Sequence, residues 1–290
     1  MKPSRSLFID VRGLRYHCRV WGEDGAPKLF MLHGWLDVSA SFQFIVDALQ
    51  RDWQVIAPDW RGCGLSAWSG ADSYWIPDYL GDLELLLRHF QPQGAVRLIG
   101  HSMGGNIACM YAGIRPERVA HLVNLEGMGL RSVAPADAPA RYAQWLDTID
   151  APIAFKSYDS FESFARRLQR DNPRLDAERA LFLAQHRAAQ NRTGEIALRS
   201  DPAHKRINPV PYRLEEMQAC WRRIEAAVLW VEAEASDVRA RLNTEDIEAR
   251  RHCFARLSAH LIDDAGHMMH LEQPERLARL IEDFLPSDSR

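Results

Sequence analysis

The chain has 290 residues, 47% of them hydrophobic, with 36 basic and 39 acidic side chains and a formal net charge of −3. Charge this balanced excludes the electrostatic footprint of a nucleic-acid or anionic-membrane partner, and no apolar run is long enough to span a bilayer. The length suffices for one large core, so a single domain with an insertion is expected, and the five cysteines, odd in number and without paired spacing, read as reduced thiols of a cytoplasmic protein.

The segment from Met1 to Asp10 starts basic but lacks the apolar core and small-residue cleavage site of a signal peptide. It runs into two strands, about 7–10 and 14–21, that turn at Gly13 and form an antiparallel edge hairpin. A short apolar strand, Lys28-Leu29-Phe30-Met31-Leu32, then leads into His33-Gly34-Trp35. His33 reads as a loop-bracing histidine rather than a reacting one. The next strand, Val55-Ile56-Ala57-Pro58, ends in Asp59-x-Arg61-Gly62-x-Gly64-x-Ser66. That loop contains G-x-G-x-x-A at Gly62, Gly64 and Ala67, but Trp68-Ser69-Gly70 follow where a dinucleotide fingerprint requires a helix, so a nucleotide site is rejected.

The most informative segment is Arg97–Ala112. An apolar run (Val96, Leu98, Ile99) ends in Gly100-His101-Ser102-Met103-Gly104, and a helical pattern (Ile107, Ala108, Tyr111, Ala112) follows at once. This is G-x-S-x-G in the context its chemistry requires, a strand turning sharply into a helix that presents Ser102 as a nucleophile. Small neighbours are needed there, and Gly100, Gly104 and Gly105 supply them. A serine hydroxyl needs a general base. After a strand at Ala259-His260-Leu261-Ile262, Gly266-His267 offers one in the loop before a final helix. His270 is the competing base and reads as packing against the site. His267-x-x-His270 is also the only close histidine pair; with no H-E-x-x-H and no Cys/His cluster, neither a metal nor an organic cofactor is expected.

Strands and helices alternate from Lys28 to about Glu126 and resume from about Tyr212, which implies a mostly parallel sheet with helices on both faces. The intervening residues 131–211 carry helical patterns, as in Arg141–Leu146 and Phe161–Leu168, and no strand-like run. Tyr142, Trp145, Phe155, Tyr158, Phe161, Phe164 and Phe182 are expected to pack mostly as the core of that segment.

Taken together, the segments around His33, Asp59, Ser102 and His267 resemble the α/β-hydrolase superfamily. The resemblance implies an α/β-hydrolase core domain over residues 1–130 and 212–290, with 131–211 as a helical cap arching over the serine. It implies Ser102 as nucleophile, His267 as base, and the backbone amides of Trp35 and Met103 as the oxyanion hole. Two positions compete for the acid. The usual one follows the strand Ala227–Val231 in a G-x-x-D pattern, but Glu232-Ala233-Glu234-Ala235-Ser236-Asp237 puts Ser236 in the expected place and Asp237 one residue late. The other, used by some members including certain haloalkane dehalogenases, closes the strand after the elbow helix, and Glu126 stands there. A charge ending an apolar strand needs a partner, so Glu126 is the expected acid, Asp237 the alternative, and Asp263 or Asp264 the remainder.

Serine at the elbow excludes the haloalkane dehalogenase and epoxide hydrolase chemistries, which require aspartate. What the resemblance implies is a serine hydrolase acting on a small-molecule substrate, most simply a small ester with an apolar acyl or aryl group. Lactone, thioester or C–C bond hydrolysis on the same triad, or a non-catalytic ligand receptor on the same fold, are the alternatives.

Overall fold

A computed structural model describes residues 1–210 and 212–286. The first half of the chain comprises β1 (Ser4–Val11), β2 (Leu14–Trp21), β3 (Lys28–Leu32), α1 (Gln43–Ala48), β4 (Gln54–Pro58), α2 (Ile76–Phe90), β5 (Val96–His101), α3 (Met103–Ile114) and β6 (Val119–Leu125). Then come α4 (Ala138–Asp147), α5 (Phe161–Asp171), α6 (Ala177–Arg187), β7 (Ala188–Gln190), β8 (Ile196–Leu198), α7 (Leu214–Trp221), β9 (Ala227–Ala233), α8 (Thr244–Arg251), β10 (Leu257–Ile262), α9 (Met269–Glu272) and α10 (Pro274–Phe284).

Eight strands form one sheet in the order β1-β2-β4-β3-β5-β6-β9-β10. The β1–β2 and β2–β4 pairs are antiparallel and all others are parallel. Alternation along each strand divides the core between the two faces. Leu29 and Met31 of β3 face α1 and α10, packing with Ile45, Leu277 and Ile281. Phe30 and Leu32 face the other way, into a cluster with Leu83 of α2, Ile107 of α3 and Trp221 of α7. Strand order reverses around β3, with β4 on one side and β5 on the other. The crevice beyond the carboxyl ends of strands at such a reversal is where open α/β sheets hold their ligands. The segments leaving β3 and β5 are His33-Gly34-Trp35 and Ser102-Met103.

The stretch between β6 and α7 departs from the sequence expectation in two ways. It contains a small antiparallel hairpin, Ala188–Gln190 with Ile196–Leu198, where no strand was expected; three-residue strands are too short to show an alternating pattern. Its helices also differ from one another. The helices α5 and α6 pack through Phe164, Leu168, Leu183 and Ala184 around Leu271 of the core, whereas α4 buries none of its residues and leaves Tyr142 and Leu146 exposed. Phe164 is therefore core in α5, whereas Tyr142 of α4 is exposed and Trp145 only half-buried.

Candidate active site

Ser102 sits between β5 and α3 with φ 53° and ψ −115°, a conformation that costs a non-glycine residue on the order of 1–3 kcal/mol unless its surroundings enforce it. They do so through close packing. A Cβ on Gly104 would lie 2.1 Å from the Leu32 carbonyl oxygen, and one on Gly105 would lie 2.4 Å from Asn124 Oδ1. Only glycine lets the first turn of α3 approach β3 and β6 this closely. The Ser102 amide donates to the Leu125 carbonyl at 2.8 Å, and its own carbonyl accepts from Asn106 at 3.0 Å. The hydroxyl is left half-buried at the crevice.

A continuous hydrogen-bonded chain leads away from that hydroxyl. His267 Nε2 lies 3.0 Å from Ser102 Oγ, and His267 Nδ1 lies 2.7 Å from Glu126 Oε2. A carboxylate can only accept, so Nδ1 carries the proton and Nε2 presents its lone pair to the serine hydroxyl. Glu126 is 2% exposed and has φ 56°. Its amide pairs with the Val231 carbonyl at 3.1 Å. Its Oε1 accepts from the Ala233 amide at 2.9 Å, and its Oε2 also accepts from the Ser236 hydroxyl. The carboxylate thus has three donors: an imidazole, an amide and a hydroxyl.

The competing acids lie elsewhere. Asp237 is an exposed residue whose carboxylate pairs with Arg241 at 2.5 Å, whereas Glu126 is the carboxylate that meets His267. The one-residue offset noted in the sequence turns its side chain outward and leaves Ser236 facing inward. Asp263 pairs with Arg276 at 3.2 Å, and Asp264 is exposed, 3.6 Å from Arg174.

Loop geometry on the other side of Ser102 is fixed by His33. Its Nδ1 donates to the Gly34 carbonyl at 2.8 Å and its Nε2 accepts the Trp60 amide at 2.8 Å, while Trp60 Nε1 donates to the His33 carbonyl at 2.9 Å. That bracing role matches the sequence expectation. A Cβ on Gly34 would lie 3.3 Å from Ser102 Cβ, so the loop runs directly beside the serine. Trp35 follows, 54% exposed, and Met103 opens α3, where the first N–H groups have no intrahelical acceptor. Asp59 ties the neighbouring loops together, accepting from the Ser39 amide at 2.7 Å and the Leu65 amide at 2.9 Å and meeting His17 Nδ1 at 2.8 Å. Burial opposes its ionisation, but the hydrogen bonds from the His17 ring and the Leu65 amide hold its carboxyl well below the usual range.

Behind the serine, His270 is fully buried against His101, ring centroids 4.4 Å apart, and against Phe42 at 5.5 Å. Burial, chiefly, pushes its pKa down to about 3. His101 Nε2 donates to the His267 carbonyl at 2.8 Å, so a buried imidazole anchors the His267 backbone.

Several residues that shape the site carried no sequence signal. Glu272 accepts from the Gly266 amide at 2.5 Å and from Asn172 Nδ2 at 2.9 Å. Arg179 donates to the Leu271 carbonyl at 2.6 Å, and Arg187 to the Leu36 carbonyl at 2.8 Å. The helices α5 and α6 thereby hold both the His267 loop and the Gly34–Leu36 turn. The contacts made by Asn172, Arg179 and Arg187 each join residues about a hundred or more positions apart in the chain.

Comparison with known proteins agrees with this fold. The family profile for the alpha/beta hydrolase fold matches residues 27–274. A serine hydrolase-like protein of Danio rerio is 26% identical over 283 residues, covering 93% of this chain and 85% of the relative. A 3-hydroxybutyrate-oligomer hydrolase of Cupriavidus necator is 27% identical over 281 residues, covering 91% of this chain and 90% of the relative. Among solved structures, a thioesterase domain from the curacin biosynthetic pathway superposes with a TM-score of 0.86 at 20% identity, over 97% of this chain and 99% of that domain. With its eight-stranded sheet, strand-to-helix serine turn and nearly full-length profile match, the chain belongs to the alpha/beta hydrolase fold family.

Proposed function

We propose that the protein is a serine hydrolase that cleaves a small ester with an apolar acyl or aryl group. The observation that carries this reading is the unbroken run Ser102 Oγ, His267, Glu126, with its tautomer fixed by the carboxylate. As Ser102 attacks the substrate carbonyl, His267 Nε2 takes the hydroxyl proton, and Glu126 stabilises the imidazolium that forms. The Trp35 and Met103 amides hold the oxyanion, a contribution of typically about 3 kcal/mol per well-placed donor. His267 then protonates the leaving alkoxide or phenoxide, and water activated by the same nitrogen releases the acyl group from Ser102.

Residues 131–211 act as the cap, gripping the Gly34–Leu36 and His267 loops through Arg187, Arg179 and Asn172. The exposed Trp35 side chain beside Gly34 offers an apolar wall for the acyl or aryl group. A relative named for hydrolysing 3-hydroxybutyrate oligomers points in the same direction.

The test joins two measurements: labelling with a fluorophosphonate probe, and turnover of a p-nitrophenyl ester panel. One adduct on Ser102, absent in Ser102→Ala, together with ester turnover is the expected result. Labelling without ester turnover redirects the assignment to lactones, thioesters or vinylogous diketones. Neither labelling nor turnover overturns the enzyme reading in favour of a ligand receptor.

A further inference from the structure

A second polar cluster lies behind the serine, and the proposed hydrolysis does not use it. Asp37, on the loop after β3, His101, the last residue of β5, and His270, in α9, are 2%, 1% and 0% exposed. One ligand-capable atom of each lies within 4.8 Å of the others. Asp37 Oδ1 and Oδ2, His101 Nδ1 and both ring nitrogens of His270 are buried without a hydrogen-bond partner. Buried polar groups are ordinarily paired, and five orphans in one place mean that something else satisfies them.

The chemistry of the five atoms says what. His101 Nε2 must carry its proton, because it faces the His267 carbonyl, so Nδ1 is a bare lone pair. Both Asp37 oxygens are acceptors. His270, as a neutral imidazole, contributes one donor and one further acceptor. With the buried, unpaired Nε–H of Arg187 counted as well, four acceptors therefore face two donors, and no rearrangement of hydrogens among them can pair them all. Spacing points the same way. Asp37 Oδ2 and His270 Nε2 face each other at 3.9 Å, too far for a hydrogen bond but close to the roughly 3.4 Å that separates two ligands of one tetrahedral ion. Arg187 Nε lies 3.8 Å from Oδ1, leaving Oδ2 directed at the imidazole.

We propose that Asp37, His101 and His270 form a buried site for one divalent first-row transition metal ion of the zinc class. Two imidazole nitrogens and one carboxylate oxygen are a donor set suited to such an ion. The ion would have a structural role. It would join the loop after β3, the end of β5 and α9, and would polarise the His101 ring, strengthening its Nε2–H bond to the His267 backbone. The separation of these residues in the chain explains why a search for ligand spacing in the sequence excludes a metal here.

The test is zinc binding by the full-length protein, stripped with chelator and titrated with zinc chloride by calorimetry, with thermal unfolding followed in parallel. One ion per chain and a raised Tm are expected. Asp37→Asn and His270→Leu should each weaken the binding at least tenfold, whereas Ser102→Ala should bind as wild type does, which separates this site from the proposed nucleophile. Cobalt should give visible d–d absorption without a thiolate charge-transfer band. An anomalous map of zinc-soaked crystals should place its peak among the three side chains. A peak elsewhere, a water in this position after soaking, a thiolate band, or binding unchanged in both variants overturns the proposal. If either variant fails to fold, the map of the wild-type protein decides alone.

Discussion

Two carboxylates flank the elbow strand at the same depth, and they differ in almost every other respect. Glu126, after β6, and Asp37, after β3, are each 2% exposed. Glu126 accepts from an imidazole, an amide and a hydroxyl, whereas both Asp37 oxygens lack a hydrogen-bond partner. Burial alone therefore says nothing about what a carboxylate does. Donors do: a carboxylate held by three of them is fixed in place and aimed at one ring nitrogen, while one without donors retains its capacity to accept a cation.

Substitution at the serine sets the scale against which both carboxylates are read. Ser102→Ala should lower ester kcat by about 10⁴-fold or more in a folded protein, because removing the nucleophile leaves only binding and the oxyanion donors. Activity within tenfold of wild type would refute the assignment. The amide Glu126→Gln should cost roughly 10³–10⁴ in kcat with little change in Tm, since it keeps the shape but no longer fixes the tautomer or stabilises imidazolium. Equal losses in Glu126→Gln and Asp37→Asn would erase the contrast.

Acid should act on the neutral histidines near Asp37 and elsewhere. Burial depresses His270 to about 3 and His204 to about 4, against roughly 6.5 in an unfolded chain. The unfolded chain therefore takes up these protons first. Their contribution to stability is complete above about pH 6.5 and is lost as pH falls toward 4 and then 3. Chemical denaturation between pH 7 and 4 should show this decline, and His204→Gln should flatten it; an unchanged slope would contradict the burial argument.

Smaller effects refine the picture at individual atoms. Ser236→Ala removes one of three donors from Glu126 and should reduce kcat by about tenfold, corresponding to the roughly 1.4 kcal/mol expected of a hydrogen bond to a charged group. Asp237→Asn, one residue away and exposed, should leave kcat unchanged within error. At the other carboxylate, Asp37→Asn adds a donor to an acceptor-rich cluster, so in chelator-treated protein it should hold or slightly raise the Tm, which thermal unfolding measures directly. A marked fall would show that loss of the Arg187 ion pair, 3.8 Å from Oδ1, outweighs the added donor.

Much of this site was legible because its signals are local. A strand, a glycine-flanked serine and a helix lie within sixteen residues, and a Gly-His pair follows the last strand. Glu126 was legible for a different reason, as a charge ending an apolar strand. Ser236 was not, because its value lies in a hydroxyl that reaches a residue 110 positions earlier. Helical period misplaced Tyr142, since periodicity identifies a face but not whether another element covers it. The Asp37, His101 and His270 cluster is invisible to spacing rules because three separate chain segments build it.

The chain order of the proposed trio has a consequence for folding. Ser102 and Glu126 come from adjacent strands, β5 and β6, and the segment between them is continuous. Their partner His267 arrives only after β9 has paired with β6 and β10 with β9, across more than a hundred residues. Long-range pairings of this kind close late, because loop entropy is lost before contacts repay it. Regain of the proposed hydrolase activity during refolding would thus report the final docking of the C-terminal segment, lagging behind secondary structure, so that turnover would serve as a clock for completion of the fold.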